Sequence, residues 1–312
     1  QTPNGMDLYM VDVTIVDPAS VGETIVQAPL LLPHELFGAL YAASPGVWNK
    51  AVLGCGGPEA ISDFWERLAH MEWVQRHPAL SAWDSPATAV PIGFHGDGAQ
   101  FTREESMTAL TWSSVMATGA SLDSRFLITA LPTTWLAPRT LDEVFSVLAW
   151  SFSAMLDGFY PPADHKGHPW PDGARANLAG KPLAGGFRGA WAESRGDWDW
   201  QVKCYKLRGW SSTSCCHLCD ATPNAGPLVY TDFSSEATWR ETLVTHDQWM
   251  AAAREHKQGI CPLCEIPGWH LSSIKIDTMH TLNLGFGMHV NGNLLLKMFL
   301  LAGVVPCLGL TN

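Results

Sequence analysis

The chain has 312 residues, 46% of them hydrophobic and only 16% charged, a balance that excludes a disordered polymer and allows a sizeable core. Its 19 basic and 30 acidic side chains leave a net charge of −11. That argues against a generic basic surface for nucleic acid, but not against an acidic centre screened by its own cations.

The predicted elements begin with a helix over residues 31–44, where Pro33 suits the first turn and Pro45-Gly46 ends it. A longer helix is expected from Pro58 to His77, with Ile61, Phe64, Trp65, Leu68 and Met71 at steps of three and four and Pro78 closing it. The texture then turns β-prone. Strands are expected over Ala87–Phe94, Met107–Ala117 and Arg125–Leu131. Thr140 and Glu143 have capping-box spacing, and the helix they open carries Val144, Phe145, Val147, Leu148, Phe152 and Leu156. Residues 158–186 are rich in Pro, Gly and His and show no clear element, which marks a functional or mobile loop. A fourth strand over Gly186–Glu193, a short helix over Asp197–Leu207 and a cysteine-bearing loop follow. Thr238–Lys257 reads as mostly helical, Leu271–Ile276 as a fifth strand and Leu282–Leu301 as helix. The apolar run from Leu294 to Leu310 contains Lys297, Gly303 and Pro306, so a buried helix and its exit are expected there rather than a membrane span. Both termini read as cuts through a longer protein.

From residue 87 the order is β-β-β-α-β-α, an insertion, then β-α. Three consecutive strands followed by alternating helices and strands predict an α/β fold with a ribonuclease H-like mixed sheet rather than a doubly wound one. Residues 1–86 are expected to form a mainly helical N-terminal region. Residues 87–312 are expected to form the core, with a cysteine-rich, zinc-knuckle insertion near 208–268.

In that sheet the first and fourth strands are neighbours. Asp97, in His95-Gly96-Asp97-Gly98, and Asp197, after the fourth strand, would then share one edge. Two carboxylates there suit Mg²⁺ or Mn²⁺, and two such cations about 4 Å apart activate a hydroxyl and stabilise a leaving oxygen in phosphodiester chemistry. The competing structural reading makes Asp97 a turn residue and Asp197 a helix cap, with Asp199 a rival for its role. Asp277 and His280, at i and i+3, face one cleft in the functional reading and cap or seat a helix in the other. His165 and His168 have no third ligand nearby and read as ordinary loop residues. Eight Cys and no basic-then-apolar segment at the first residues favour reduced thiols. Cys216/Cys219 and Cys261/Cys264 form two Cys-x-x-Cys pairs able to make a four-thiolate Zn²⁺ site, with Cys215 and His217 as extra donors to the first pair. Buried free cysteines are the alternative. Neither a Gly-x-Ser-x-Gly elbow nor a P-loop is found.

Over roughly residues 88–290 the ordered set of His95-Gly96-Asp97-Gly98, Gly196-Asp197, Trp210 through Cys219, and Asp277-Thr-Met-His280-Thr-Leu-Asn-Leu-Gly285 resembles the catalytic region of DDE/D-class cut-and-paste DNA transposases, closest to the CACTA-like and Kyakuja-Dileera-Zisupton groups. The resemblance implies Asp97 and Asp197 as metal ligands and Asp277 and His280 as an accessory signature. It places the family's third acidic residue on a helix beyond Asn312. It also implies transposon-end DNA as partner, a possible homo-oligomer, no membrane, a nuclear location and strand transfer by a freed 3′-hydroxyl. A catalytically inactive transposon-derived protein and a zinc-stabilised interaction module are the alternatives.

Overall fold

The computed structural model describes residues 7–20, 22–81, 85–103, 105–209, 211–214 and 216–301. A hairpin opens the chain: β1 (Tyr9–Val16) pairs antiparallel with β2 (Glu23–Leu30). The expected helical N-terminal region thus begins with a β-hairpin that the sequence reading did not include. The signal is an alternation, with Tyr9, Val11, Val13 and Ile15 buried and Met10 and Asp12 exposed. Helix α1 (Pro33–Ala43) follows as expected, with Pro33 in its first turn. The next helix is shorter than expected. Helix α2 (Gly57–Leu68) ends where the Met71 N–H turns back to the Leu68 carbonyl, and Met71 is extended before a separate turn at Glu72–Gln75.

Six consecutive buried residues, Ala89 to Phe94, make β3 (Ala89–Gln100) a central strand. Strands β4 (Ser106–Ser114), β5 (Phe126–Pro132) and β6 (Arg188–Arg195) complete a mixed sheet in the order β5-β4-β3-β6. β3 is antiparallel to β4 and parallel to β6. The molecule is therefore a mixed α/β protein with a mixed four-stranded sheet and helices.

Helix α3 (Thr140–Asp157) covers this sheet with Val144, Phe145, Leu148, Phe152 and Met155, all buried at helical spacing. Phe94 sits at the centre, with ring centroids 6.1 Å from Phe145, 6.3 Å from Phe152 and 5.7 Å from Trp191. The capping box expected at Thr140 does not form. Thr140 Oγ1 donates to the Thr14 carbonyl instead, and Glu143 accepts from Thr14 N at 2.5 Å and Thr14 Oγ1 at 2.9 Å. These bonds tie β1 to the start of α3.

The segment 158–186 is ordered although almost devoid of regular structure. Gly158 takes a left-handed φ of 80° and ends α3; Leu183 N donates back to its carbonyl at 2.8 Å, and Tyr160 N to Lys181 O at 2.9 Å. Arg175 clamps it with bonds of 2.6 and 3.1 Å to the buried carboxylate of Glu35. The same guanidinium lies 5.3 Å from the Tyr9 ring centroid and 5.5 Å from that of Trp170. His165 bonds the Tyr9 hydroxyl and His168 bonds Asp164.

Helix α4 (Trp198–Tyr205) follows β6, and α5 (His246–Glu255) opens with a capping box of Thr245 and Gln248. The expected fifth strand is reduced to one parallel bridge, Ser194 to Ile274, after a 3₁₀ turn at Leu271–Ser273. A wide π-helical segment, Met279–Phe286, runs into α6 (Gly287–Leu301). The helix expected to be buried is exposed instead: Leu294 is 56% and Met298 57% accessible. Among the described residues no helix is long and apolar enough to cross a membrane. Trp210, Cys215 and the C-terminal run past Leu301 lie outside the described residues.

Truncating Phe94 to Ala is expected to destabilise the fold by about 3–5 kcal/mol, the usual cost of deleting a buried aromatic ring. Urea unfolding of the two proteins, with an unchanged slope, checks it.

Candidate active site

The backbone register places the three aspartates. His95 of β3 pairs with Arg195 of β6, so Asp97 and Asp197, each two residues further on, stand level at the same sheet edge. Gly196 lies so close that a Cβ there would come 2.7 Å from the Gly96 carbonyl. The Ser194–Ile274 bridge, seconded by Lys275 N donating to Ser194 O at 2.9 Å, carries the same level one chain further. Three residues on from each bridge partner are Asp197 and Asp277. Neighbouring segments therefore carry Asp97, Asp197 and Asp277 towards the same end of the sheet. β3 continues three residues beyond Asp97, to Gln100, so Asp97 is a strand residue opposite Ala109 rather than a turn residue.

Asp197 caps α4: its Oδ1 accepts from Trp200 N at 2.6 Å. Its rival, Asp199, faces solvent and pairs with Lys203 at 2.6 Å. The indole of Trp200 is buried beneath the row, where a Cβ on Gly96 would meet it at 2.0 Å and one on Gly196 at 2.3 Å. Both glycines are needed for that close approach. Asp97 and Asp197 open onto a cleft of about 960 Å³ that Arg139, Lys203 and Lys206 also line. Those cations are paired with Glu143, Asp199 and Asp142 respectively.

His280 Nδ1 lies 2.6 Å from Asp277 Oδ2, and Asp277 Oδ1 accepts from Met279 N at 2.8 Å. The bond to Asp277 pushes the His280 imidazole above its ordinary range, and the negative fields of Asp277, Asp197 and Asp97 add to it. The same bond holds the Asp277 carboxyl below its usual range. The ion pair is thus complete between the lowered value of Asp277 and the raised value of His280, and it is lost as pH rises through the latter. His95, two residues before Asp97 on the strand, behaves oppositely. Burial pushes its imidazole down, and the charge of Arg125 adds to that, against the pull of Asp97.

The cysteines form two groupings. Cys216 Sγ accepts from Leu218 N at 3.3 Å, and Cys216 interacts with the buried Cys219. His217 lies against Trp198 with ring centroids 5.3 Å apart, and burial takes its imidazole down to about 4. Cys261 and Cys264 sit in a 3₁₀ turn beside Cys204 of α4, which the spacing had not singled out. Burial works to raise the Cys261 thiol. Bonds to Cys204, Cys264 and the Leu263 N–H outweigh it and bring that thiol down to about 5. Among the described residues, no group of three or more His, Cys, Asp or Glu side chains is arranged to hold a metal ion. His165 and His168 are engaged in the segment 158–186, away from the row's own hydrogen bonds.

No protein-family model, curated protein or solved structure matches this chain.

Replacing Asp277 with Asn is expected to return the His280 imidazole towards its ordinary value near 6.5. Histidine-resolved NMR titration reads this directly, and an unmoved titration contradicts the pairing. Gly96→Ala is expected to destabilise by about 1–3 kcal/mol, because the new methyl overlaps the Trp200 ring. Thermal unfolding combined with Trp fluorescence checks it.

Proposed function

We propose that this chain is a ribonuclease H-like catalytic core for phosphodiester cleavage in DNA transposition, as its resemblance to DDE/D transposases implies. One observation supports the reading: backbone pairing of His95 with Arg195 and of Ser194 with Ile274 carries Asp97, Asp197 and Asp277, far apart in sequence, towards one end of the sheet. The sheet order, with an antiparallel β3-β4-β5 unit and a parallel β3-β6 pair, supports the same architecture.

Carboxylates are the donor type a hard cation takes, although the resting side chains here do not surround one. Carboxylate oxygens suit Mg²⁺ or Mn²⁺, and Asp97 and Asp197 would hold it. When bound, such an ion activates the attacking oxygen and stabilises the leaving one. The chain's own residues supply the rest. The bond to Asp277 favours the protonated imidazole of His280, a positive group suited to a phosphate oxygen. Trp200 and the two glycines set the height of the sheet edge. In the reaction a water oxygen, and later a freed 3′-hydroxyl, bonds to phosphorus as the P–O3′ bond breaks. In the same reading the Cys-x-x-Cys turns hold zinc as a structural cross-link, and the partner is transposon-end DNA in the nucleus.

A second reading, a transposon-derived or zinc-stabilised binding protein without activity, draws on a different fact. The Asp197 carboxylate already caps α4 and that of Asp277 already binds His280, so both have structural employment.

Plasmid nicking by the full-length protein in Mg²⁺ or Mn²⁺ separates the two. Asp97→Asn and Asp197→Asn are each expected to lower the nicking rate by about 100-fold or more, the scale on which a preorganised charge-stabilising group acts. Undiminished nicking by both folded variants refutes the catalytic assignment. No nicking by the parent protein on any end-bearing DNA favours the second reading.

A further inference from the structure

The cleft onto which Asp97 and Asp197 open does not end with α4. A second cavity of about 360 Å³ adjoins it, with Arg208, His217, Cys219, Val244 and Trp249 among its walls. Lys206, Leu207 and His256 line both cavities, so they stand where the two meet. The groove thus follows α4 from its capping residue, Asp197, past its last residue to the cysteine-bearing loop. The eight residues of that helix span about 12 Å.

Three cations follow the groove in chain order. Lys203 pairs with Asp199 at 2.6 Å, Lys206 with Asp142 at 2.7 Å and Arg208 with Asp220 at 3.3 Å. They are not alike. The Lys206 side chain is only 13% exposed and also donates to the carbonyls of Gln258 at 2.9 Å and Gly259 at 3.2 Å. It fixes the spacing of two walls, α3 with Asp142 and the chain after α5. Lys203 and Arg208 are 55% and 56% exposed, and their acidic partners are exposed too. Exposed pairs of this kind are weak, so each cation is free to exchange its carboxylate for a phosphate oxygen. At a net charge of −11 the general surface repels a polyanion, which leaves such a groove as the place to hold one.

Aromatic rings share the second cavity with Arg208. Trp249 is half-buried there, its ring centroid 5.5 Å from that of Trp269, and His217 packs against Trp198 at 5.3 Å. A duplex keeps its base faces stacked inside, whereas an unpaired strand offers them to aromatic side chains. We propose that this groove holds a single, unpaired nucleic-acid strand, with Lys203 and Arg208 on its phosphates and Trp249 and His217 against its bases. The strand leads from Asp97 and Asp197 towards the cysteine-bearing loop. The proposal rests on the reading of DNA as partner and adds the form in which DNA is held.

Fluorescence anisotropy of a short labelled oligothymidine with the full 312-residue chain, with Ca²⁺ in place of Mg²⁺, tests it. Lys203→Gln and Arg208→Gln are each expected to weaken binding by roughly three- to ten-fold and to flatten its salt dependence by about one counterion. Trp249→Ala is expected to weaken it by about ten-fold. Lys50→Gln removes a cation paired with Asp123 outside the groove and is expected to change nothing. No binding by the parent chain, unchanged affinity in any folded groove variant, or equal or tighter binding of the matching duplex overturns the proposal. So does an oligoglutamate peptide that displaces the oligothymidine at equal charge, which assigns the groove to an acidic peptide. Should Trp249→Ala fail to fold, the two exposed-cation variants decide alone. Nicking is not read, so this proposal and the catalytic one fail separately.

Discussion

The parallel pairing of β3 with β6 is the constraint on which the rest depends. Its ladder does not run straight. Ile92 pairs with Trp191, but Gly93 pairs with Glu193, so β6 gains one residue at a bulge. Without that residue Asp97 would come level with Gly196, and every later side chain of β6 would point to the opposite face. The bulge therefore decides whether two aspartates share an edge. It coincides with Gly93, over which the Arg195 guanidinium lies: a Cβ there would be 3.1 Å from its Cζ. Strand bulges re-aim side chains in this way next to functional edges.

An edge that gathers three carboxylates is electrostatically costly, and the surroundings show how the cost is met. Asp197 sits at the N-terminus of α4, where its oxygen satisfies an otherwise unpaired amide and the helix dipole favours negative charge. Asp277 has His280. The cleft's other cations, Arg139, Lys203 and Lys206, are already paired with acidic partners. The overall charge of −11 points the same way, towards an acidic centre rather than a basic DNA-binding face.

The N-terminal hairpin and the segment 158–186 act at a distance by holding α3. Glu143 and Thr140 fasten β1 to the start of that helix, while Arg175 and Glu35 fasten the segment after it to α1. Held at both ends, α3 presses Phe145 and Phe152 onto Phe94, and so keeps β3 at the depth from which Asp97 emerges. Arg175 meets both oxygens of the buried Glu35 carboxylate, so breaking the pair would leave a buried charge without its partner.

The sequence by itself determined the helices at α1 and α3, the existence of the four strands of the sheet (though β3 runs six residues past its expected end at Phe94, to Gln100), and the Asp-x-x-His and Cys-x-x-Cys spacings, because each of these is written in local periodicity or short-range order. The N-terminal hairpin was equally legible in the alternation of Tyr9, Val11, Val13 and Ile15, but the helical reading of residues 1–86 passed over it. Tertiary structure alone decided the rest. It diverted Glu143 from a local cap to Thr14, because an unpaired strand amide offered a stronger partner. It broke the helix expected to reach His77, and it reduced the fifth strand to one bridge. It also tied the end of α4 to the chain just before Cys261, by bonds from Lys206 across more than fifty residues. Long-range hydrogen bonds and register have no local signature, and it is they that carry three aspartates, distant in sequence, towards one end of the sheet.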